Sequence, residues 1–253
     1  MAVVNIKTPE EVKVMAEGGK KLAHVKKLVE EAVKIGVSAL EIEEIVTKGI
    51  IAQGGTPSFK MVPGYRWSTC ININDGIVHG IPKKEMVFQE GDVVSVDLGM
   101  FYKGFHTDTS ISVYLGSDPK TVEMLSVGKK ALKNAIREAQ MGNKLGDISY
   151  AIEKTLESAK LNPVESLVGH GVGRNLHEYP PIPCFVTGSA SDNIELKEGF
   201  VLAIEVMYTQ GNPELVTDSD GWTIRTKDGK ISALFEETVA ITANGPIVLT
   251  AHG

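Results

Sequence analysis

EGDVVSVDLGMFYKGFHTDTSISV, residues 90–113, reads as two strands joined by a tight turn. Val93, Val94 and Val96 are β-branched, and Ile111 and Val113 repeat the pattern on the far side. Tyr102-Lys103-Gly104 supplies the turn, with Gly104 free to take a positive φ. A two-residue loop at Tyr102-Lys103 sets Asp97 directly opposite Asp108. Side chains so placed lie about 4.5–5.5 Å apart at Cβ, and like charges there are destabilising. A divalent cation between them reverses the argument, because hard cations want ionised oxygen ligands. The competing reading is two solvated aspartates, or a different register.

The chain has 253 residues, 42% of them hydrophobic, enough for a sizeable core. A formal charge of −6 argues against a nucleic-acid-binding surface. MAVVNIKTPEEV at the N-terminus has no long apolar run, so no signal peptide is expected. Nor does any stretch approach the roughly 18 apolar residues of a membrane span. Two cysteines, Cys70 and Cys184, make no disulfide framework. A soluble cytoplasmic protein is expected.

Thr8-Pro9-Glu10-Glu11 starts a helix with a capping box, and Gly36 is expected to end it. Ser38 and Glu41 open a second helix, broken at Gly54-Gly55-Thr56-Pro57. Residues 70–81 alternate like strands around an Asn74-Asp75-Gly76 turn. Past the aspartate hairpin, Asp118-Pro119 starts a helix to about Gln140, and Asp147 starts another to about Ala159. A Gly/His segment (169–180), a proline-rich loop (Pro180 to Pro183), a strand (198–208) and a hairpin (222–242) turning at Asp228-Gly229 complete the chain. The two halves repeat each other. Gly36, Ile42 and Pro57 recur 106 residues on as Gly142, Ile148 and Pro163. Glu90-Gly91 recurs 108 residues on as Glu198-Gly199, a shift that also carries Asp97 onto Glu205. Two copies of so long a unit suggest halves packed about a pseudo-two-fold axis, with the active site between them.

Glu205 and either Glu236 or Glu237 join Asp97 and Asp108 in a four-carboxylate cluster. Burying four carboxylates without a cation is prohibitively costly; about two divalent ions neutralise them. Of the six histidines, His24 in the first helix and His252 in the tail read as solvated bystanders. His106 shares the face of Asp108 by period two, as a supporting group or a plain polar strand residue. His79 precedes Gly80, His170 is flanked by Gly169 and Gly171, and His177 lies seven residues further on. Each taken alone reads as structural; beside four carboxylates they read as functional.

His79-Gly80-Ile81-Pro82, the Asp97–Asp108 spacing, GHGVG with His177, Ile204-Glu205 and the stretch 232–238 together resemble the type I methionine aminopeptidases, over nearly the whole chain. The resemblance implies the pita-bread fold: α/β (α+β), with two pseudo-symmetric halves around a mostly antiparallel sheet. One catalytic domain would span 1–253, with halves of about 1–115 and 116–253. It implies two divalent ions, iron(II), manganese(II) or cobalt(II), held by Asp97, Asp108, His170, Glu205 and Glu236. The family's Glu-x-Thr pattern selects Glu236 over Glu237, since Thr238 follows. His79 would contact the scissile amide, His177 would steady the carbonyl oxygen, and Glu205 would take the water proton. His79 and Glu205 both remain candidates for protonating the leaving amine. Tyr65, Cys70 and Trp222 match positions of the family's methionine pocket, with Phe59 nearby. The implied substrates are N-termini of nascent polypeptides, at or near the ribosome, handled by a monomer away from membranes.

Three positions depart from the family pattern. Val206 follows Glu205 where proline is usual, a change expected to alter the strand slightly. Leu176 stands where phenylalanine is common. KMVPGYRW (60–67) replaces a Gly-Tyr-rich loop that in the family helps wall the methionine pocket. The competing classes are an Xaa-Pro aminopeptidase or dipeptidase of the same fold, and an inactive pita-bread binding module. Relatives of the first kind carry an extra N-terminal domain, for which a first helix opening at Thr8 leaves no expected room. Relatives of the second kind lose metal ligands, and all five are present here.

Overall fold

A computed structural model of the chain describes residues 3–251. His252 lies outside the described residues. The first half runs through α1 (Pro9–Ala32), α2 (Ala39–Ala52), β1 (Thr56–Pro57), β2 (Thr69–Ile73), β3 (Gly76–Val78), β4 (Val93–Tyr102) and β5 (Phe105–Tyr114). The second comprises α3 (Pro119–Glu138), α4 (Leu145–Ser158), β6 (Asn162–Pro163), β7 (Val168–Gly171), β8 (Glu178–Pro183) and β9 (Val201–Thr209). It continues with β10 (Leu215–Thr217), β11 (Ile224–Thr226), β12 (Ser232–Thr242) and β13 (Gly245–Val248). Antiparallel pairing orders the main sheet β1-β4-β5-β12-β9-β7-β8; β10-β11-β3 form a second, small sheet. This is the pita-bread architecture expected from the sequence.

Strand alternation sorts the residues onto two faces. Val94, Val96, Leu98 and Met100 of β4 pack in one core with Leu22, Val25 and Val29 of α1 and Ile42, Val46 and Ile50 of α2. Leu202, Ile204 and Tyr208 of β9 do the same against α3 and α4. Ser95, Asp97 and Gly99, one step out of phase, are left on the opposite face. Both expected capping boxes form: Thr8 Oγ1 accepts from the Glu11 amide and Ser38 Oγ from the Glu41 amide, while each glutamate accepts from its cap's amide.

The internal repeat extends to individual hydrogen bonds. Gly36 N–H donates to Phe88 O, and Gly142 N–H donates to Leu196 O. Ser58 N–H donates to Gly99 O, and Val164 N–H to Met207 O. Thr56 pairs with Phe101 as Asn162 pairs with Thr209. Gly36, Gly91, Gly142 and Gly199 all take φ between 86 and 91°.

Several local expectations change. The hairpin closes on Lys103 and Gly104, with φ of 46° and 92°, instead of Tyr102-Lys103. Two consecutive positive-φ residues match the right-handed twist of the flanking strands. Tyr102 therefore pairs with Phe105, so Asp97 faces Ser110 and Asp108 faces Gly99. The aspartates are diagonal neighbours, not directly opposed. α1 stops at Ala32 with Val33 as its cap, and Gly36 belongs to the turn that follows. α4 starts at Leu145, two residues before Asp147, whose carboxylate accepts from the Lys144 amide at 2.7 Å. Pro180–Pro183 is strand, not loop: β8 is an edge, where a missing N–H breaks no ladder bond on the outer side. The strand expected over 198–208 begins at Val201. The expected 222–242 hairpin does not form. Gly229 takes φ 70° in a turn, but β11 pairs with β10 and β3 while β12 pairs with β9, β5 and β13.

Candidate active site

The register of four long strands builds the site. Cys70 pairs with Asp97, Asp97 with Ser110, Ser110 with Glu236, and Glu236 with Glu205. One row across β2, β4, β5, β12 and β9 thus carries three carboxylates. The row beneath contains Gly99, Asp108, Thr238, Ala203 and His170. Thr238 Oγ1 ties it together, donating to Asp108 O at 2.7 Å and accepting from Asp108 N at 2.9 Å. Neighbouring strands lie about 4.8 Å apart, so the two rows crowd four carboxylates and an imidazole onto one patch. Small residues beside Asp108 leave room: a Cβ on Gly99 would lie 3.2 Å from Asp108 Oδ1 and 2.9 Å from Ser58 Cβ.

Glu236 and Glu237 part company at this point. Glu236 is buried on the site face. Glu237 emerges on the helix side, where Lys26 of α1 donates to its Oε1 at 2.6 Å and to Thr109 Oγ1 at 2.8 Å. Thr109 Oγ1 in turn bonds Glu236 O at 2.8 Å. Lys26 is almost wholly buried, so removing its charge partner's compensation is costly. Lys26→Met is expected to lower the unfolding free energy by about 3 kcal/mol. The double variant with Glu237→Gln should recover most of that loss. Urea unfolding measures both, and an unchanged Lys26→Met midpoint would show that the pair contributes nothing.

All the residues singled out from the sequence as catalytic, metal-binding or substrate-binding line one cavity of about 670 Å³ including its open mouth. Asp97, Asp108, His170, Glu205 and Glu236 share it with His79, His177, Tyr65, Cys70, Trp222 and Phe59. Val62, Val78 and Leu176 complete the lining. Val62 belongs to the altered loop. Val78 directly precedes His79, and that adjacency is the only sequence signal for its place in the wall. Tyr65 is held in place by its hydroxyl, which donates to Thr69 O at 2.8 Å, and by edge contacts with Trp67 and Trp222 at 5.2 and 5.0 Å. Ser68 and Thr69 are in turn fixed by the buried Glu43 carboxylate. His106 is not in the cavity wall: its Nδ1 meets Ser58 Oγ at 2.9 Å and its ring tilts on Phe101. His24 is exposed on α1. A buried pair that the sequence did not reveal, Lys7 Nζ to Glu178 Oε2 at 2.7 Å, anchors the turn that presents His177. Glu178 also accepts from the Asn175 amide at 3.0 Å.

The departures from the family pattern are absorbed locally. Val206 leaves β9 in unbroken register with β12 from Val201 to Thr209. Leu176 is buried with Phe59, Tyr65, Cys70 and Ile81 in one apolar cluster beside the carboxylates.

Electrostatics distinguish this patch from an ordinary polar surface. Burial pushes the Asp97 carboxyl up to about 7. Burial, then Asp97 and Glu205, push Asp108 well above the usual carboxylate range. Glu205 rises through burial and then Asp97; Glu236 rises through burial and then Asp108 and Glu205. Among the described residues no lysine or arginine lines the cavity. Asp97 Oδ1 and Ser110 Oγ are buried without any hydrogen-bond partner. Burial lowers His170 to about 4, so its imidazole is neutral. Its Nδ1 lies 2.9 Å from Gly171 O, which assigns the proton to Nδ1 and a lone pair to Nε2. A histidine whose second nitrogen donates to a backbone carbonyl is the usual arrangement of a metal ligand. Asp108, His170 and Glu236 each offer a donor atom within 4.8 Å of the other two, and His170 Nε2 lies 4.0 Å from Glu205 Oε1. Orphaned oxygens, mutually repelling carboxylates and a neutral imidazole are the donor set that divalent cations require.

Fold and donor set together define a class, the pita-bread metallopeptidases. Comparison with known proteins narrows it. The sequence model of "Metallopeptidase family M24" matches residues 13–243. The methionine aminopeptidase of Aquifex aeolicus is 41% identical over 98% of both chains. The crystal structure of methionine aminopeptidase from Thermotoga maritima superposes with a TM-score of 0.95 at 39% identity, covering 99% of this chain and 100% of that one. A prolidase from Pyrococcus furiosus shares the fold at a TM-score of 0.77 and 23% identity; this chain covers 66% of it. The chain belongs to metallopeptidase family M24 and, within it, to the methionine aminopeptidases.

Proposed function

We infer that the chain hydrolyses the first peptide bond of proteins and peptides that begin with methionine. One observation carries the reading: five oxygen- and nitrogen-donor side chains, with no lysine or arginine beside them among the described residues, share a cavity with a cluster of apolar and aromatic side chains. Divalent metal ions, bound there, would act as Lewis acids and lower the pKa of water toward neutrality. We assign Asp97, Asp108, His170, Glu205 and Glu236 to holding them, and propose two ions of iron(II), manganese(II) or cobalt(II). Glu205 faces the cavity, and its carboxylate would accept the proton of the attacking water. His177, 4.5 Å ring to ring from His170 and lining the same cavity, would steady the substrate carbonyl oxygen. Desolvation keeps both His177 and His79 below the ordinary histidine value, so each is a neutral hydrogen-bonding group near pH 7. His79 would orient the scissile amide, and either His79 or Glu205 would protonate the leaving amine.

Phe59, Tyr65, Cys70, Leu176 and Trp222 offer an unbranched thioether side chain a wall of apolar and aromatic surface, favourable for sulfur. The finer expectations go with this reading. Residues 1–253 work as one catalytic domain, with halves of about 1–115 and 116–253. The chain acts as a monomer on nascent N-termini, in the cytoplasm and near the ribosome. Among the described residues no helix is long and apolar enough to cross a membrane.

Methionine release from Met-Ala-Ser, with Leu-Ala-Ser and Ala-Pro-Ser alongside, tests the function. Chelation is expected to abolish cleavage of the methionine peptide, and manganese or cobalt to restore it. Turnover of Ala-Pro-Ser without Met-Ala-Ser would move the chain to a proline-directed specificity, and no turnover with any metal would leave an inactive binding module.

A further inference from the structure

The outer edge of β9 is interrupted beside Glu205. Among the described residues, β7 pairs with β9 only at Leu202 and Ala203, and β6 only at Tyr208 and Thr209. Val164 N–H reaches Met207 O at 2.9 Å. Between these contacts the Glu205 carbonyl and the Met207 amide face a single atom, Cys184 Sγ. The thiol donates to Glu205 O at 3.3 Å and accepts from Met207 N at 3.5 Å. Cys184 is completely buried and follows directly on β8. In the first half the equivalent edge, beside Asp97, is covered by the backbone of β2, with Cys70 paired to Asp97. A side chain in the second half stands where the first half has a strand.

Resting on the metal-site reading above, we propose that Cys184 is a positioning residue for Glu205, its thiol bridging the gap in the β9 ladder and so fixing where the Glu205 carboxylate enters the site. Without the sulfur, a buried carbonyl at Glu205 and a buried amide at Met207, two residues on, lose their partners. β9 is then free to bow towards the vacated space. A displaced ligand binds its metal less tightly; groups that orient metal ligands typically contribute 10- to 100-fold in affinity. Cysteine suits the position because sulfur is large enough to meet both backbone groups from one atom while remaining nearly apolar towards the surrounding core.

The test titrates manganese(II) into the metal-free full chain by calorimetry, alongside urea unfolding and Met-Ala-Ser kinetics. Cys184→Ala is expected to weaken manganese affinity about tenfold and to lower kcat with little change in KM. Cys184→Ser, which keeps a donor and an acceptor at the same place, should recover most of both losses. Ile42→Val, a change in α2 within the separate core of the first half, which contains no β9 residue, should lower stability without moving the manganese affinity. Wild-type affinity in Cys184→Ala, or a serine variant no better than alanine, overturns the proposal while leaving the metal site intact. A wild-type chain that takes up no manganese overturns the metal-site reading and this proposal with it.

Discussion

Asp108→Ala is expected to abolish turnover and divalent-metal binding together. Asp108 sits in the lower row of the site, with Glu205 and Glu236 in the row above and His170 two strands beyond Thr238. Its carboxylate is one of three groups whose donor atoms converge within 4.8 Å. No neighbour can substitute, because Gly99 across the hairpin has no side chain and Thr238 is committed to the Asp108 backbone. Calorimetric titration with manganese(II) should show no saturable binding in the variant. Stability should move the other way. In the metal-free wild type the folded state holds protons on carboxyls whose pKa is raised, among them Asp97 at about 7. A group raised above its unfolded value stabilises the fold at low pH and loses that contribution as pH rises towards the folded value. The metal-free wild type should therefore weaken between pH 5 and 7.5, and metal should remove the trend. Deleting Asp108 removes one of the repelling, desolvated carboxyls, so the metal-free variant should be more stable than the metal-free wild type at pH 7.5. Urea unfolding at the two pH values, with and without metal, measures this. Metal binding retained by Asp108→Ala would show that the other four donors suffice.

The site was more legible than the register that builds it. Placing the hairpin turn at Tyr102-Lys103 rather than Lys103-Gly104 moves the loop by one residue and the pairing by two. A shift of two preserves the faces, because side chains alternate with period two. Asp97 and Asp108 therefore remain on one face although they do not oppose each other. The internal repeat was equally robust, since the glycines at 36, 91, 142 and 199 mark left-handed turns whose geometry demands that residue. Long-range pairing left less trace. Asp228-Gly229 is good turn chemistry, yet β11 joins β3 in a separate sheet, a partner nearly 150 residues away in the chain. The Glu237–Lys26 and Glu178–Lys7 pairs are hidden for the same reason, their partners separated by 211 and 171 residues. Cys184 read as a mere absence of disulfides, because a thiol standing in for a strand has no pattern in sequence.

His79→Ala is expected to lower kcat by about 10²–10⁴-fold while leaving metal binding intact. His79 follows β3 with φ at 57°, a left-handed conformation uncommon outside glycine, although asparagine, aspartate and histidine enter it more often than other residues. The turn cannot relax toward Gly80, whose backbone is packed against Ile71: a Cβ on Gly80 would lie 2.1 Å from Ile71 O. Strain held in this way at the rim of a reactive cavity directs a side chain to one place. The ring is not among the converging donors, and desolvation, followed by the repulsion that a protonated His177 would exert, disfavours its protonated form. Those properties suit a group that hydrogen-bonds substrate rather than one that holds a cation. Alanine in a left-handed conformation brings its own strain, so the rate loss alone would be ambiguous. His79→Asn separates the causes. Asparagine tolerates the backbone but cannot reproduce the reach and proton transfer of an imidazole. Both variants should bind manganese as the wild type does, and both should lose turnover of Met-Ala-Ser. Recovery of rate in His79→Asn would make the role conformational. Loss of manganese affinity in both would make His79 part of the metal site and undo the division between groups that hold the cation and groups that handle the peptide.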